Sequence, residues 1–438
     1  MSSVRIVVLG AGPAGAAVAI GLRRLGYDVC AVSEWRRFCA VEGVSVRVLE
    51  GLRRAGLARA FACAGTVSSR RVLWNGVPSV RNQEFLLDRS RFDAALRDDM
   101  RSAGVQVVEA WVRKVESEEA GHRILLEVEG DQRWLEADFL VEARGRQAPL
   151  GGSRLRGPET VTLLSHWRQD PGPSGSAVES LEDGWSWMAR LPDGRCFWQL
   201  SLAAKNSALP ARDQMVAYCG QRRQQSELAG EFFGSPAGAP AGMYARSSTA
   251  ILALETGGSN WLRVGDAAMA VDPLSGNGIF QALSSALQAP AVINTILTCA
   301  ERSRLALDFH QRRIEHLFLR FARTGRDFYA LEQQRASQAF WAARSAWPDA
   351  EPLHAEPCFS SLEVRRAPVL KNNMVEEAEV VTSNDQPLGM WRLNDIELVP
   401  RVTRLQAGEG FKSISADLTE EQAAMLLAWL RGQGYVEA

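Results

Sequence analysis

The sequence has no long hydrophobic stretch and no regular arrangement of cysteine or histidine. No run of about 18 uncharged apolar residues occurs, so we expect no membrane-spanning helix. The seven cysteines are scattered and odd in number and show no Cys-x-x-Cys spacing, which favours free thiols in a reducing cytoplasm. The five histidines are isolated and have no metal-ligand spacing, so no metal site is expected.

An excess of either charge is also missing. The chain has 50 Lys and Arg against 51 Asp and Glu, a net charge of −1, which gives no indication of a nucleic-acid or anionic membrane partner. The N-terminus enters an apolar strand without the basic segment and cleavage site of a signal peptide, so we expect a cytoplasmic protein. Lysine is absent between residues 1 and 113.

What is present is typical of a soluble globular protein. Apolar residues make up 46% of the chain and charged residues 23%. A chain of 438 residues is too long for a single hydrophobic core, so two or three domains are expected.

The most informative motif stands at the N-terminus. An apolar run at 4–9 is followed by Gly10, Gly12 and Gly15 at G-x-G-x-x-G spacing, then by a helical segment and a second strand that ends near Glu34. In a dinucleotide-binding βαβ unit these glycines allow a tight turn, pyrophosphate approach and helix–strand packing, and the acid binds ribose hydroxyls. The motif in this context predicts a bound dinucleotide; the alternative is a plain strand-to-helix turn.

Two further patches occur in a fixed order after this motif. They are "DRSRFD" at 88–93 and "RVGDAAMAVDPLSGNGI" at 263–279. The three patches together resemble the FAD contacts of class A flavoprotein monooxygenases, and equally those of the flavin-dependent halogenases and geranylgeranyl reductases. The resemblance covers roughly residues 4–345.

This resemblance implies roles for residues outside the N-terminal motif. Asp266 matches the aspartate that binds the ribityl chain, and Gly265 lets the backbone pass close to the cofactor. Arg89 matches an arginine near the ribityl and phosphate portion of FAD.

The stretch after Asp266 matches the segment that lies along the isoalloxazine ring. Pro273 and the turn formed by Gly276, Asn277 and Gly278 correspond to it. A helix N-terminus at this turn would stabilise the anionic reduced flavin.

The branch of the superfamily is indicated by one sequence patch and by a missing lysine. "GWSWMARLP" at 184–192 resembles the W-x-W-x-I-P motif of halogenases and halogenase-like hydroxylases, with Trp185 and Trp187 on one strand face and predicted in the substrate pocket. The alternative is that both rings only fill a sheet face. Halogenases hold hypohalous acid with a lysine in the region where this chain has none, and an arginine stays protonated and cannot replace it.

We therefore favour hydroxylation. The segment 324–344, with Tyr329, Phe340, Trp341 and Arg344, is similar to a helix of halogenase-like hydroxylases. The implied reaction proceeds through a flavin C4a-hydroperoxide formed with O2, the co-substrate. His166 is the histidine placed to assist proton transfer, although a lone histidine is more often structural.

The electron source stays open at this point. "EARGR" at 142–146 replaces a sequence that contains an aspartate in monooxygenases reduced directly by NADPH, and no second nicotinamide motif is present. A reduced nicotinamide, reduced flavin or a partner protein could each serve.

The predicted architecture is α/β. It consists of a discontinuous Rossmann-like FAD-binding domain (1–157 and 251–346), an inserted β-rich substrate domain (158–250, with 70–87) and a small α+β, winged-helix-like C-terminal domain (360–438). From residue 351 onward the chain has 14 Asp and Glu against 8 Lys and Arg, which argues against DNA binding. Thr419, Gln422 and Gly434 predict a capped terminal helix.

The tail and the overall layout resemble the flavoprotein monooxygenases of quinohemoprotein amine dehydrogenase maturation. That family hydroxylates a peptide tryptophan toward a tryptophylquinone cofactor, which implies a peptide or protein substrate and other maturation factors as partners. The alternatives are a small-molecule aromatic hydroxylase, a geranylgeranyl reductase-like flavoprotein, and a non-catalytic flavin-bound scaffold that binds a protein.

Overall fold

The computed structural model describes residues 4–36, 38–148, 152–205, 209–234 and 240–436. The glycine-rich stretch "EFFGSPAGAPAGMYARSS" at 231–248 predicts a loop, and residues 235–239 of it lie outside this part. The strands, in chain order, are β1 (Arg5–Leu9), β2 (Asp28–Ser33), β3 (Val41–Val44), β4 (Val67–Trp74), β5 (Val77–Asp88), β6 (Gln106–Glu109), β7 (Trp111–Glu118), β8 (Gly121–Val128), β9 (Asp131–Ala137), β10 (Phe139–Glu142), β11 (Arg154–Arg156), β12 (Thr160–Arg168), β13 (Gly175–Leu181), β14 (Gly184–Arg190), β15 (Arg195–Ala203), β16 (Gly242–Ser247), β17 (Ile251–Ala253), β18 (Trp261–Arg263), β19 (Met269–Ala270), β20 (Glu363–Lys371), β21 (Met374–Thr382), β22 (Arg392–Leu393) and β23 (Ile396–Glu397).

The α-helices complete the mixed α/β fold that the sequence predicts. In chain order they are α1 (Pro13–Arg24), α2 (Val46–Ala55), α3 (Ala58–Ala62), α4 (Arg89–Ser102), α5 (Met215–Gln224), α6 (Glu227–Phe233), α7 (Gly278–Ala286), α8 (Ala289–Thr298), α9 (Ser303–Ala330), α10 (Ala339–Ser345), α11 (Val399–Gln406), α12 (Phe411–Ile414) and α13 (Glu420–Gly432). None of the helices in the described part is long and apolar enough to cross a membrane.

The chain divides into two compact units. Unit 1 comprises Met1–Pro290 and Ile314–Ala350, and unit 2 comprises Ala291–Arg313 and Glu351–Ala438. The finer division of unit 1 into an FAD-binding domain and a substrate domain stays a prediction.

A parallel sheet forms the N-terminal part of unit 1. Its strand order is β18-β10-β1-β2-β6, and each neighbouring pair is parallel. The apolar run of β1 is buried from Ile6 to Leu9, which is typical of a central strand covered on both faces. The carboxyl end of β1 leads directly into the glycine motif, so that motif opens at the edge where α/β proteins bind ligands.

An eight-stranded sheet forms the second layer of unit 1, with the order β16-β12-β15-β14-β13-β4-β5-β3. The Asn75-Gly76 pair in the sequence predicts a two-residue hairpin turn, and the structure confirms it: both residues have positive φ angles, 54° and 69°, as a type I′ turn requires. One face of this sheet packs against α5 and α6, through Cys219, Leu228 and Phe233. The opposite face carries Trp185 and Trp187, because side chains alternate along β14.

Unit 2 has a hydrophobic core of its own. Helices α11 and α13 contribute Val402, Leu405, Leu426 and Leu430, and the hairpin β20–β21 contributes Val381. Helix α13 begins with the predicted capping box, in which Thr419 Oγ1 accepts from the Gln422 backbone N–H and Gln422 Oε1 accepts from the Thr419 backbone N–H.

Candidate functional site

The glycine motif forms a turn with the close contacts that the sequence predicts. Gly10 has a φ of +110°, and a Cβ at this position would lie 2.3 Å from the carbonyl oxygen of Ala143. A Cβ on Gly15 would lie 1.9 Å from the Gly10 carbonyl oxygen. Gly12 differs, because its added Cβ would meet nothing within 4 Å. Gly12 therefore borders open space, and that space is where a pyrophosphate would lie.

The N-terminus of α1 faces the same space without a competing partner. Gly12 is its N-cap and carries no side chain that could cap the helix, and no acidic residue stands in the first turn. The unpaired N–H groups and the helix dipole favour an anion here. Glu34 is exposed directly after β2, so its carboxylate is accessible to ribose hydroxyls. These residues fit the dinucleotide portion of FAD.

The Gly-Asp patch, Gly265 and Asp266, contacts Arg146, which follows strand β10 of the parallel sheet. Gly265, with a φ of +59°, donates its N–H to Ser285 Oγ at 2.8 Å. The Asp266 side chain is one-third exposed and pairs with Arg146 at 3.4 Å. Desolvation raises the pKa of Asp266, and Arg146 opposes that shift. Arg146 also donates to the carbonyl oxygen of Val271 at 2.6 Å, so one side chain fixes both ends of this segment.

The segment predicted to lie along the isoalloxazine ring is a short turn that leads into α7. Pro273 begins a 3-10 turn, and Gly276 follows with a φ of +64°. Asn277 is the N-cap of α7 without a side-chain cap bond, and no acidic residue stands in that first turn. Added Cβ atoms on Gly276 and Gly278 would meet nothing within 4 Å. A second helix N-terminus thus borders open space, as a flavin ring at this position would require.

Arg89 lies in a buried charge cluster. It donates to Asp93 Oδ1 from Nη2 at 2.8 Å and from Nε at 3.1 Å, and it also pairs with Glu42. Burial alone would lower the pKa of Arg89, but the two carboxylates outweigh it and raise the pKa. Arg89 is therefore a fixed positive charge. Its contact with FAD stays a prediction, and Glu42 is a member of this cluster that sequence reasoning missed.

The unusual Arg144 has a local explanation. Glu142 is fully buried at the end of β10, and Arg144 covers its carboxylate with bonds from Nε at 3.0 and 3.1 Å and from its backbone N–H at 2.9 Å. The pair neutralises a buried acid. The Arg144 side chain is thus held by its hydrogen bonds to Glu142.

The two tryptophans of β14 lie beside the turn at 273–276. Trp185 belongs to a buried group with Tyr329, Phe340 and Trp341, and Trp187, Trp74 and Leu274 pack against this group. Its rings meet edge to face, with centroid distances of 5.4 Å for Phe340–Trp341 and 5.8 Å for Tyr329–Trp341. We call this group the aromatic cluster. Leu274 connects it to the predicted flavin turn.

Trp185 is largely a structural member of the cluster, whereas Trp187 is more accessible. Trp185 is 5% exposed and donates its indole N–H to Tyr329 Oη at 3.0 Å. Trp187 is half-buried and pairs across the sheet with Gln199. Gln199 is half-buried on the same sheet face, between Trp187 and Leu164. Gln199 belongs to no motif in the sequence, and its place opposite Trp187 is the signal that could have indicated it.

His166 lies on that same face but in a different group. Its ring is stacked on Tyr244 at 6.1 Å and lies 5.9 Å from Phe197. Burial lowers the pKa of His166, and Arg195 lowers it further, so the ring is neutral at physiological pH. The described contacts do not join His166 to the turn at 273–276, and its proton-transfer role stays a prediction.

Comparisons with known proteins agree with this geometry. Residues 3–165 match the family model of an FAD binding domain. The chain is 24% identical to a tryptophan 2-halogenase of Chondromyces crocatus over 376 residues, which is 78% of this chain and 71% of the relative. It is 25% identical to a menaquinone reductase of Mycolicibacterium smegmatis over 304 residues, 63% and 72% of the two chains.

A solved structure provides a fuller match. It is described as the peptidyl tryptophan dihydroxylase QhpG, essential for tryptophylquinone cofactor biogenesis, and it is 59% identical with a TM-score of 0.87 over 99% of this chain and 100% of QhpG. The flavin-dependent halogenase CmlS shares the fold, with 18% identity and a TM-score of 0.78. The chain carries an FAD-binding domain and belongs to the family of FAD-dependent monooxygenases that contains the peptidyl tryptophan dihydroxylase QhpG.

Proposed function

We propose that this chain is an FAD-dependent monooxygenase that hydroxylates a tryptophan side chain of a peptide or protein during tryptophylquinone biogenesis. The observation that carries the proposal is the 59% identity to QhpG over nearly the full length of both chains. Bound FAD, once reduced, would supply the activated oxygen that an electron-rich indole ring accepts.

The residues of this chain bind and orient the cofactor. The N-terminus of α1 and the open space beside Gly12 would hold the pyrophosphate, and Glu34 would hold a ribose. Asp266 would accept from the ribityl chain, while Arg146 keeps that carboxylate in place. The N-terminus of α7 would face the flavin ring and favour negative charge on it.

The sheet face above the turn suits an indole substrate. Trp187 offers an aromatic surface for stacking, and Gln199 offers a side-chain amide whose oxygen accepts an N–H. The aromatic cluster lies behind these residues and excludes water from the reacting ring.

Hydroxylation fits this chain better than halogenation. Lysine is absent between residues 1 and 113, the region where the halogenases carry the lysine that captures hypohalous acid. We propose O2 as co-substrate and either a reduced nicotinamide or an external reduced flavin as electron source. Arg144 does not supply a nicotinamide contact in this scheme, because it covers Glu142.

The expected setting is a reducing cytoplasm, together with other maturation factors. All seven cysteines are unpaired, and burial raises the pKa of Cys30, Cys196 and Cys219 to about 11 each, which keeps these thiols protonated and unreactive.

A product analysis tests the proposal. The FAD-loaded chain is supplied with reduced flavin, O2, bromide and a tryptophylquinone precursor polypeptide, and the polypeptide is analysed by mass spectrometry. We expect oxygen on tryptophan and no bromine. Brominated tryptophan would contradict the argument from the missing lysine, and an unmodified polypeptide would contradict the function itself.

A further inference from the structure

A chain of hydrogen bonds connects the substrate-facing sheet to the predicted flavin turn. Trp185 in β14 donates to Tyr329 Oη at 3.0 Å. Tyr329, at the end of α9, donates to Asp272 Oδ1 at 2.9 Å. The same carboxylate oxygen accepts the backbone N–H of Leu274 at 2.9 Å. Three elements that are distant in sequence are thus linked through two buried oxygen atoms, Tyr329 Oη and Asp272 Oδ1.

The members of this chain are protected from water. Trp185, Tyr329 and Asp272 are 5%, 2% and 9% exposed. Burial raises the pKa of Tyr329, and the neighbouring Asp272 raises it further, so Tyr329 keeps its proton and acts as the donor. Polar groups placed in such surroundings are costly unless they are paired, and Trp185 Nε1, Tyr329 Oη and Asp272 Oδ1 each make a hydrogen bond in this chain.

Asp272 stabilises the turn that begins at Pro273 as well as the buried core. Its side chain caps the 3-10 turn that begins at Pro273, and Gly276 ends that turn in the left-handed region. The positions of Leu274 and of the α7 N-terminus therefore depend on where the carboxylate is held. Arg344 lies beside this corner, with its guanidinium carbon 5.9 Å from the centroid of the Tyr329 ring. Burial raises the pKa of Asp272, and the positive charge of Arg344 opposes that shift.

We propose that Tyr329 and Asp272 are positioning residues for the flavin ring, and that Trp185 couples them to the substrate sheet. The proposal rests on the proposed function, in which the turn at 273–276 lies along the isoalloxazine. In this role the Tyr329 hydroxyl fixes Asp272, and Asp272 fixes the backbone that faces the ring. A purely structural role would predict a loss of stability without any change at the flavin.

Variants of the full chain separate these roles through the bound flavin itself. Tyr329→Phe keeps the ring packing and removes the hydroxyl. We expect FAD binding several-fold weaker, by fluorescence titration, and a shifted visible spectrum of the bound flavin. Tyr218→Phe is the matched control, because its hydroxyl accepts from Arg222 within helix α5 and has no described contact with the turn.

A second pair of variants keeps the test decisive if Tyr329→Phe does not fold. The side-chain oxygen in Asp272→Asn can still accept both bonds, whereas Asp272→Ala accepts neither, so we expect the Asn variant to restore the spectrum and affinity that the Ala variant loses. Wild-type flavin spectra and affinity in both Tyr329→Phe and Asp272→Ala would overturn the proposal. These readouts need no peptide turnover, so a failure of the proposed function would be seen separately.

Discussion

At the residue scale, the three glycines of the N-terminal motif have different tasks. Gly10 and Gly15 have no room for a Cβ, because it would lie 2.3 and 1.9 Å from backbone oxygen atoms. Gly12 has room for a Cβ in the protein, so packing does not require a glycine there, and the open space is where the pyrophosphate of FAD is predicted to lie. The spacing of the motif already predicts this division, with a tight turn at Gly10, pyrophosphate approach at Gly12 and helix–strand packing at Gly15, and the structure adds the distances.

The difference predicts two distinct phenotypes. Gly12→Val should remove FAD binding, because the side chain fills the pyrophosphate space, and should leave the melting temperature of the FAD-free protein nearly unchanged. Gly10→Ala should lower that melting temperature instead, since the Cβ meets the Ala143 carbonyl oxygen and the φ is +110°. Flavin absorbance and thermal unfolding measure both. Stoichiometric FAD in Gly12→Val would show that the loop is not the pyrophosphate site.

At the element scale, local signals in the sequence predicted the local structure. The β1–α1–β2 unit, the Asn75-Gly76 hairpin and the start of α13 follow from apolar runs, turn residues and a capping box, and each lies within a few residues of its predicted place. Helix α5 was not predicted, because only Cys219 is buried in it and it shows no clear apolar face. The Tyr329–Asp272 bond joins residues 57 positions apart, and no local pattern reports such a contact.

The cap of α13 predicts a measurable loss of stability. Thr419→Ala should destabilise unit 2 by about 1 kcal/mol, because the Gln422 N–H loses its acceptor. Thr403→Ala, at an exposed position inside α11, is the matched control and should be neutral or slightly stabilising. Chemical denaturation measures both variants. Equal stabilities would mean that the capping box contributes nothing to this helix.

A pH dependence is expected from the contact between Arg401 in α11 and Asp417. Arg401 donates to both carboxylate oxygens, at 2.8 and 2.9 Å, and this lowers the pKa of Asp417 to about 2. Because the folded-state pKa lies below the ordinary value of 3.8, the pair stabilises unit 2 above about pH 4 and ceases to do so as the pH falls toward 2. Asp417→Asn should remove this part of the acid sensitivity in unfolding measurements from pH 5 to 2. A dependence of stability on pH that is the same in Asp417→Asn as in the wild type would contradict this prediction.

At the scale of the whole molecule, unit 2 includes more than the C-terminal tail. Residues 291–313 belong to it, and Thr295 Oγ1 accepts the backbone N–H of Val375 at 2.8 Å. A truncation near residue 350 would therefore remove part of a packed core, and the full chain is the proper subject of activity measurements. Substrate preference should therefore be measured on the full-length enzyme. Contacts between the enzyme and the rest of a peptide substrate contribute binding energy to catalysis.

The central claim is tested most directly by comparing a tryptophylquinone precursor polypeptide with free tryptophan. The FAD-loaded full chain is given reduced flavin and O2 with each substrate in turn, and kcat/KM for oxygen incorporation into the indole is measured. We expect one or two oxygen atoms on a tryptophan of the polypeptide and a kcat/KM for free tryptophan lower by about 100-fold or more, which corresponds to roughly 3 kcal/mol of lost binding energy. Equal values for the two substrates, or reduced flavin consumed with no oxygen on either, would contradict it.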